Sequence, residues 1–470
     1  MAAFFRMNRL PGLLILAAPY FVVWVDTSKA IAISSPSDSA LPDFRSPMTI
    51  GNSLLGAASS ASAVLGSVDP FEGRPLAAVK AAAAMADLLQ NGNPEDNSSF
   101  LRGFPEERKN SSPIDKSMLN DLRRNFKWAD AAYNNDGDLM EKLEAKGFRL
   151  LRHQDGTAPG QVAYFIALNP EKKELVISTK GTGSPGDILT DLICKSVPMR
   201  LSDHGAHVHE GMSVAAQTVF EDTKDLLSEL VYPMGYEVTV TGHSLGAGSA
   251  ALLGMLLRDN AKRRQGKLMG SMANGNFQLC SMGQKFSACL TFLLLFRFKK
   301  RIRVFSFAPP PVMDWTTSAI CQSFVTSVVS ECDIVPRTSL ANVVRLQLLL
   351  SEIDQLLERK DTGPGDLNIN TDEILELWKR SDLDHSALHE KDYEKEFLFV
   401  PGKVLQLHDD GSEVSSLYTD AHMSPIKTIL FTTSMVSDHL SDSYRSILGK
   451  ATPARTNGLL HRLGLKKSTA

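Results

Sequence analysis

An α/β fold with a mostly parallel central sheet and helices on both faces is predicted by three observations. Strand-like runs at 174–179, 236–241, 302–307, 324–330 and 404–408 are interleaved with helix-like runs at 211–231 and 247–257, and that alternation is the signature of crossover units in a parallel sheet. The 470 residues are 43% hydrophobic and 22% charged, ample for one large core with extensions. The β-branched strand at 236–241 also runs through Gly242-His243-Ser244-Leu245-Gly246 straight into a helix of small residues, a strand–turn–helix joint that parallel sheets use.

The elements follow in order. Arg6 and Arg9 precede an apolar run at 13–25, and Ser28, Ala30 and Ala32 offer small side chains beyond it. This is the pattern of a signal peptide; read as an anchor, the run falls short of the ~20 apolar residues a relaxed span needs, so 1–32 reads as signal peptide or N-terminal anchor. Residues 33–117 are rich in Ser, Ala, Gly and Pro, with one Ala-rich helical stretch at 75–89, and read as a weakly ordered leader. Two glycosylation triplets, at Asn97 and Asn110, lie in it and suit a secretory route. Near Ile114 periodic burial begins: Asp115 is placed to cap a helix in which Leu119, Leu122, Phe126 and Ala129 share one face up to Tyr133. A hairpin of strands at 162–168 and 174–179 follows, then the alternating region; the folded domain is expected over 118–450, with a flexible tail at 451–470.

Two segments interrupt the rhythm and read as insertions. Residues 258–303 carry the basic cluster Arg258, Lys262, Arg263, Arg264 and Lys267, an apolar run at 289–298 and a second basic cluster. That composition suits a mobile cover docking on lipid, or else a buried core segment. Residues 351–396 are acid-rich around Gly363, Pro364 and Gly365.

Composition excludes several function classes. Lys and Arg number 50 against 53 Asp and Glu, a net charge of −3, so there is no basic field for nucleic acid. Five cysteines without a CxxC pair, and no HExxH helix or phosphate loop, point away from zinc, redox and nucleotide chemistry; neither cofactor nor catalytic metal is expected. Five is odd, so at least one thiol stays unpaired within the chain.

The chemistry centres on Ser244. A strand ending at Thr241, a tight turn and a helix are what a nucleophile elbow needs, with glycines at both ends because a Cβ there would strike the neighbouring strand and helix. Ser244 is then expected at the tip, its hydroxyl exposed and the helix N-terminus beneath it. A serine needs a histidine to take its proton and an acid to orient that histidine. Asp333, directly after the strand at 324–330, is the first candidate acid, with Asp314 as competitor; His439 is the first candidate base, with His408 and His422 as rivals. For the oxyanion, the backbone N–H of Leu245 is one donor, and Thr182, in the Gly-rich turn after 174–179, is the candidate for the other.

Six separated blocks then carry a resemblance: Lys180-Gly181-Thr182 with Asp187 and Asp191, His209-Glu210-Gly211-Met212, TGHSLGAG at 241–248, Cys332-Asp333-Ile334-Val335-Pro336-Arg337, PGKVLQL at 401–407, and Asp438-His439. Over roughly 118–450 the chain resembles the class 3 (fungal-type) lipases, most of all the sn-1-specific diacylglycerol lipases. The resemblance implies an α/β-hydrolase fold with Ser244 as nucleophile, Asp333 as acid, His439 as base and Thr182 in the oxyanion hole; His209 is expected to be structural. It implies an acylglycerol substrate met at a membrane or droplet surface, with phospholipase A1 or galactolipase as the alternative enzyme and an idle binding scaffold as the alternative class. The family's usual Arg of the oxyanion block is Lys180 here.

Overall fold

The computed structural model describes residues 14–18, 21–25, 112–156, 162–181, 196–199, 202, 205–273, 301–359, 397–409, 414–420, 429 and 434–453. The chain divides into two units, and the sheet and candidate site belong to the one comprising Glu95–Gly183, Cys194–Asn342 and Ser386–Ala470. The other holds an antiparallel hairpin, β1 (Leu14–Ala18) with β2 (Phe21–Val25), formed by the apolar N-terminal run.

The larger unit is built on nine strands: β3 (Ser112–Pro113), β4 (Arg149–Gln154), β5 (Tyr164–Asn169), β6 (Glu174–Thr179), β9 (Glu237–His243), β10 (Ile302–Phe307), β11 (Val325–Ser330), β12 (Lys403–Asp409) and β13 (Val414–Asp420). A separate small ribbon pairs β7 (Ser196–Pro198) with β8 (His207–His209). The order across the large sheet is β3-β13-β12-β11-β10-β9-β6-β5-β4. From β6 to β12 all neighbours are parallel, and the pairs outside them are antiparallel. The predicted fold class is the one observed, a parallel centre with antiparallel flanks.

Helices cover both faces. Helix α1 (Lys116–Ala131) starts where Asp115 accepts from the N–H groups of Ser117 and Met118, satisfying two donors that a helix start leaves free. Its buried Leu119, Leu122, Phe126 and Ala129 join Phe305, Phe307, Leu405, Leu407 and, from α7 (Ser441–Lys450), Tyr444, Ile447 and Leu448 in one cluster. Arg123 of α1 donates to the carbonyls of Leu448, Gly449 and Ala451, holding the end of α7. A second cluster joins Trp128 to Leu139 and Leu143 of α2 (Asp136–Glu144), Phe148, and Phe165 and Val176 of the sheet.

On the opposite face lie α3 (Glu210–Leu226), continued by a π turn at Leu227–Val231, and α4 (Leu245–Ala273). The pleat of β10 sorts the two layers. Phe305 and Phe307 face α1, whereas Ser306 donates to the Ala247 carbonyl of α4 and Val304 lies against Gly254.

The expected starts of both insertions fall inside helices, and the expected end of the first, at 303, falls within β10. Arg258, Lys262, Arg263 and Arg264 are residues of α4, with Arg258 lying 4.1 Å from the Phe324 ring centroid and Lys262 paired with Asp259. Position 351 is within α6 (Leu340–Arg359). The helical register set by Ala250, Leu253 and Leu257 does not stop where the charge begins, because long cationic side chains suit an exposed helix face. The apolar run at 289–298, most of the leader and most of the tail lie outside the described residues.

Candidate active site

Strand β9 carries its pairing through Gly242 and His243, and α4 begins at Leu245, so Ser244 alone makes the turn. It does so at φ +60°, a left-handed conformation that a residue bearing a Cβ adopts only where its surroundings enforce it. The flanking glycines supply the room. A Cβ on Gly242 would lie 2.5 Å from the Gly246 carbonyl oxygen, and one on Gly246 would overlap the Thr179 carbonyl. Thr179 also donates its hydroxyl to the Gly246 carbonyl at 2.6 Å, which pins the start of α4 to the end of β6.

One expectation is corrected here: the Ser244 side chain is buried, the residue being 1% exposed. The Gly181 backbone packs against its Cβ, and the His439 imidazole takes the space above its hydroxyl.

Three candidates from distant parts of the chain meet. Ser244 Oγ lies 2.9 Å from His439 Nε2, and His439 Nδ1 lies 3.0 Å from Asp333 Oδ1. Carboxylate oxygens only accept, so Nδ1 carries the proton and Nε2 is the acceptor for the serine hydroxyl. Asp333 is fully buried and its charge is satisfied on every side: Oδ1 also accepts from the Val335 N–H at 3.0 Å and Oδ2 from the Tyr444 hydroxyl at 2.7 Å. Tyr444 in turn accepts from the Ser330 N–H, and burial together with the Asp333 charge holds its phenol well above the ordinary range. It is therefore a fixed donor. A hydroxyl aligned with a neutral imidazole that a buried carboxylate orients can be deprotonated as it attacks an acyl carbon.

The rivals go elsewhere. Asp314 caps helix α5 (Trp315–Cys321), accepting from the Thr317 N–H and hydroxyl and from the His207 N–H. His408 is buried on β12, with its Nδ1 3.9 Å from Glu331. His422 lies outside the described residues. His209 caps α3 through Nδ1, in keeping with a structural role.

Of the oxyanion candidates, Leu245 is at the first position of α4, directly after Ser244. Thr182 lies outside the described residues. The residue that precedes it is held in place: the Gly181 N–H donates to the Tyr133 hydroxyl at 3.1 Å, and the Lys180 ammonium lies 5.6 Å from the Tyr133 ring centroid. Burial pushes the Tyr133 phenol up to about 12, so it stays protonated.

Four supporting residues were given no role from sequence: Tyr133 and Tyr444, and His243 and Asp438, which stood only as members of motif blocks. His243 donates Nε2–H to the His439 carbonyl at 2.9 Å, and burial lowers its pKa to about 3. Asp438 Oδ2 accepts from the Cys332 N–H at 3.1 Å and the Ser434 hydroxyl at 2.9 Å. Position next to Ser244 or His439 was the available signal for His243 and Asp438; Tyr133 and Tyr444 had none beyond burial in a helical pattern.

Residues 176–343 match the family described as lipase (class 3), which bears out the resemblance read from the motif blocks over that stretch. Human diacylglycerol lipase-alpha is 37% identical over 112 residues, 21% of this chain and 10% of that protein. Mouse diacylglycerol lipase-beta is 25% identical over 194 residues, 40% of this chain and 23% of its own length. The match thus spans between a tenth and a quarter of these relatives. Among solved structures, the native Rhizomucor miehei lipase propeptide complex is 15% identical with a TM-score of 0.39, covering 73% of this chain and 84% of that one. The Lip2 lipase from Yarrowia lipolytica is 19% identical with a TM-score of 0.34, covering 48% and 76%.

Proposed function

We propose that the chain is a serine acyl hydrolase that cleaves ester bonds of acylglycerols, a diacylglycerol or triacylglycerol lipase working through an acyl-enzyme on Ser244. The observation that carries this reading is the continuous chain of hydrogen bonds from Ser244 through His439 to Asp333, set on a strained turn between β9 and α4.

In this reading His439 Nε2 takes the proton as Ser244 Oγ adds to the ester carbonyl. The donors proposed for the oxyanion are the Leu245 N–H and Thr182. Collapse expels the glyceride alcohol, which leaves with the proton from His439. Water then attacks the acyl-enzyme with His439 again as base, releasing the fatty acid and restoring Ser244. Asp333 orients the imidazole and stabilises its charged form throughout. Release of fatty acid from mono-, di- and triacylglycerols and phospholipids by the purified protein, beside Ser244→Ala, tests the reading; hydrolysis of phospholipid alone would overturn the acylglycerol assignment.

A secretory route, with the mature enzyme extracellular or membrane-associated, is part of the same proposal. It is supported by Arg6 and Arg9 before the apolar run and the small residues after it. No helix among the described residues is long and apolar enough to cross a membrane, and the proposed engagement is with the surface of a membrane or droplet. N-terminal sequencing of protein recovered from culture medium checks the route.

A further inference from the structure

We propose that Asp438 is a positioning residue for hydrolysis, clamping the loop that carries Asp333 to the loop that carries His439. The proposal rests on the reading of Ser244, His439 and Asp333 as a hydrolytic triad and deepens it.

Asp333 and His439 come from segments 106 residues apart. Neither segment is regular: Asp333 follows β11 in a loop, and His439 ends a single 3-10 turn at Ser437–His439. A hydrogen bond between two such side chains is only as well aligned as the loops beneath them. Three contacts tie those loops together in register. The Ile334 N–H donates to the Met435 carbonyl at 3.1 Å, His439 donates to Asp333, and the Cys332 N–H donates to Asp438 Oδ2. Cys332 and Asp438 are each the immediate predecessor of a triad candidate, so the Asp438 contact sits one residue behind the bond that it aligns.

The same carboxylate oxygen accepts from the Ser434 hydroxyl, and the Asp438 N–H donates to the Ser434 carbonyl at 2.7 Å. Asp438 is thereby fixed within its own loop before it reaches across to the other. His439 receives a second restraint from the opposite side, where His243 holds its carbonyl. Without Asp438 the Cys332 N–H would lose this acceptor, and of the three ties only the Ile334 backbone bond and the Asp333–His439 bond that it aligns would remain. Displacement of a catalytic group by about 1 Å costs on the order of 100-fold in rate.

The test uses the full chain and a short soluble ester, with kcat, KM and the rate of fluorophosphonate labelling measured for wild type, Asp438→Ala, Asp438→Asn and Ser434→Ala. Asp438→Ala is expected to lower kcat and the labelling rate by about 10- to 100-fold, with KM within about twofold. Asp438→Asn is expected to restore most of the rate, since an amide oxygen at the same position accepts the same two bonds. Ser434→Ala, which removes one of them, is expected to fall between, and it carries the test together with Asp438→Asn should the alanine variant not fold. Wild-type kcat in Asp438→Ala, or in Ser434→Ala when the alanine variant does not fold, overturns the proposal, as does an Asp438→Asn enzyme no better than the alanine one. A wild-type protein that neither labels nor turns over overturns the triad reading itself, a result separate from these.

Discussion

His243 gives its Nε2 proton to the backbone carbonyl of His439 at 2.9 Å, and the two imidazoles lie 5.0 Å apart centroid to centroid. The neighbours in space have opposite tasks. His439 must accept a proton to work, whereas His243, walled in by Phe126, Tyr133 and Tyr444, must not. Burial is the main cause of its pKa of about 3, and the nearby His439 adds to it.

Stability should depend on pH through His243. The unfolded imidazole binds a proton below 6.5 and the folded one only near 3, so its contribution is complete above pH 6.5 and is lost as pH falls toward 3. The limiting slope is about 1.4 kcal/mol per pH unit. Asp438, raised to about 6 mainly by burial, acts in the opposite sense over part of that range. The informative measurement is therefore the difference in melting temperature between wild type and His243→Phe, which should narrow steadily on acidification from pH 6.5 to 4.5. A constant difference would mean that His243 does not stay neutral.

Ser244 separates activity from stability. Ser244→Ala and Ser244→Gly should both lose ester hydrolysis and fluorophosphonate labelling, since each removes the hydroxyl. Glycine has no penalty at φ +60°, so the glycine variant should be the more stable of the two by about 1 kcal/mol. Equal unfolding midpoints in denaturant would show that the turn is not strained.

The flanking glycines should be intolerant of a single methyl group. Gly246→Ala forces a Cβ into the Thr179 carbonyl and the Lys180 backbone, and overpacking of this kind costs about 1–3 kcal/mol. Because Thr179 also bonds the Gly246 carbonyl, kcat should fall as well. A variant with wild-type stability and kcat would place the elbow elsewhere.

Asp333 and Asp314 should part cleanly. Asp333→Asn and His439→Ala are each expected to lower kcat on the order of 10³-fold or more, and the double variant little further, because triad members act as a unit. Asp314→Asn should leave kcat near wild type and cost about 1 kcal/mol of stability, because an amide nitrogen cannot replace the oxygen that accepts from the His207 N–H. The reverse ranking would assign the acid to Asp314.

Much of this was legible in one dimension. Strand–turn–helix periodicity, and glycines at 242 and 246 where no Cβ fits, located Ser244 and the parallel centre of the sheet, because pleat, helix repeat and backbone clearance are local properties. Asp115 as a helix cap and the hairpin of β5 with β6 were readable for the same reason. Position along the chain favoured Asp333 over Asp314 and His439 over His408, and the family resemblance pointed the same way; the burial of Ser244, the places the rivals take and the parts played by Tyr444, His243 and Asp438 were not legible. Each depends on which side chains meet after residues more than a hundred positions apart are brought together, and a carboxylate reads alike in sequence whether it caps a helix or faces an imidazole. Only the packing of α1 and α7 against one face of the sheet and α4 against the other sets those distances, and with them the difference between a satisfied core histidine and one free to take a proton.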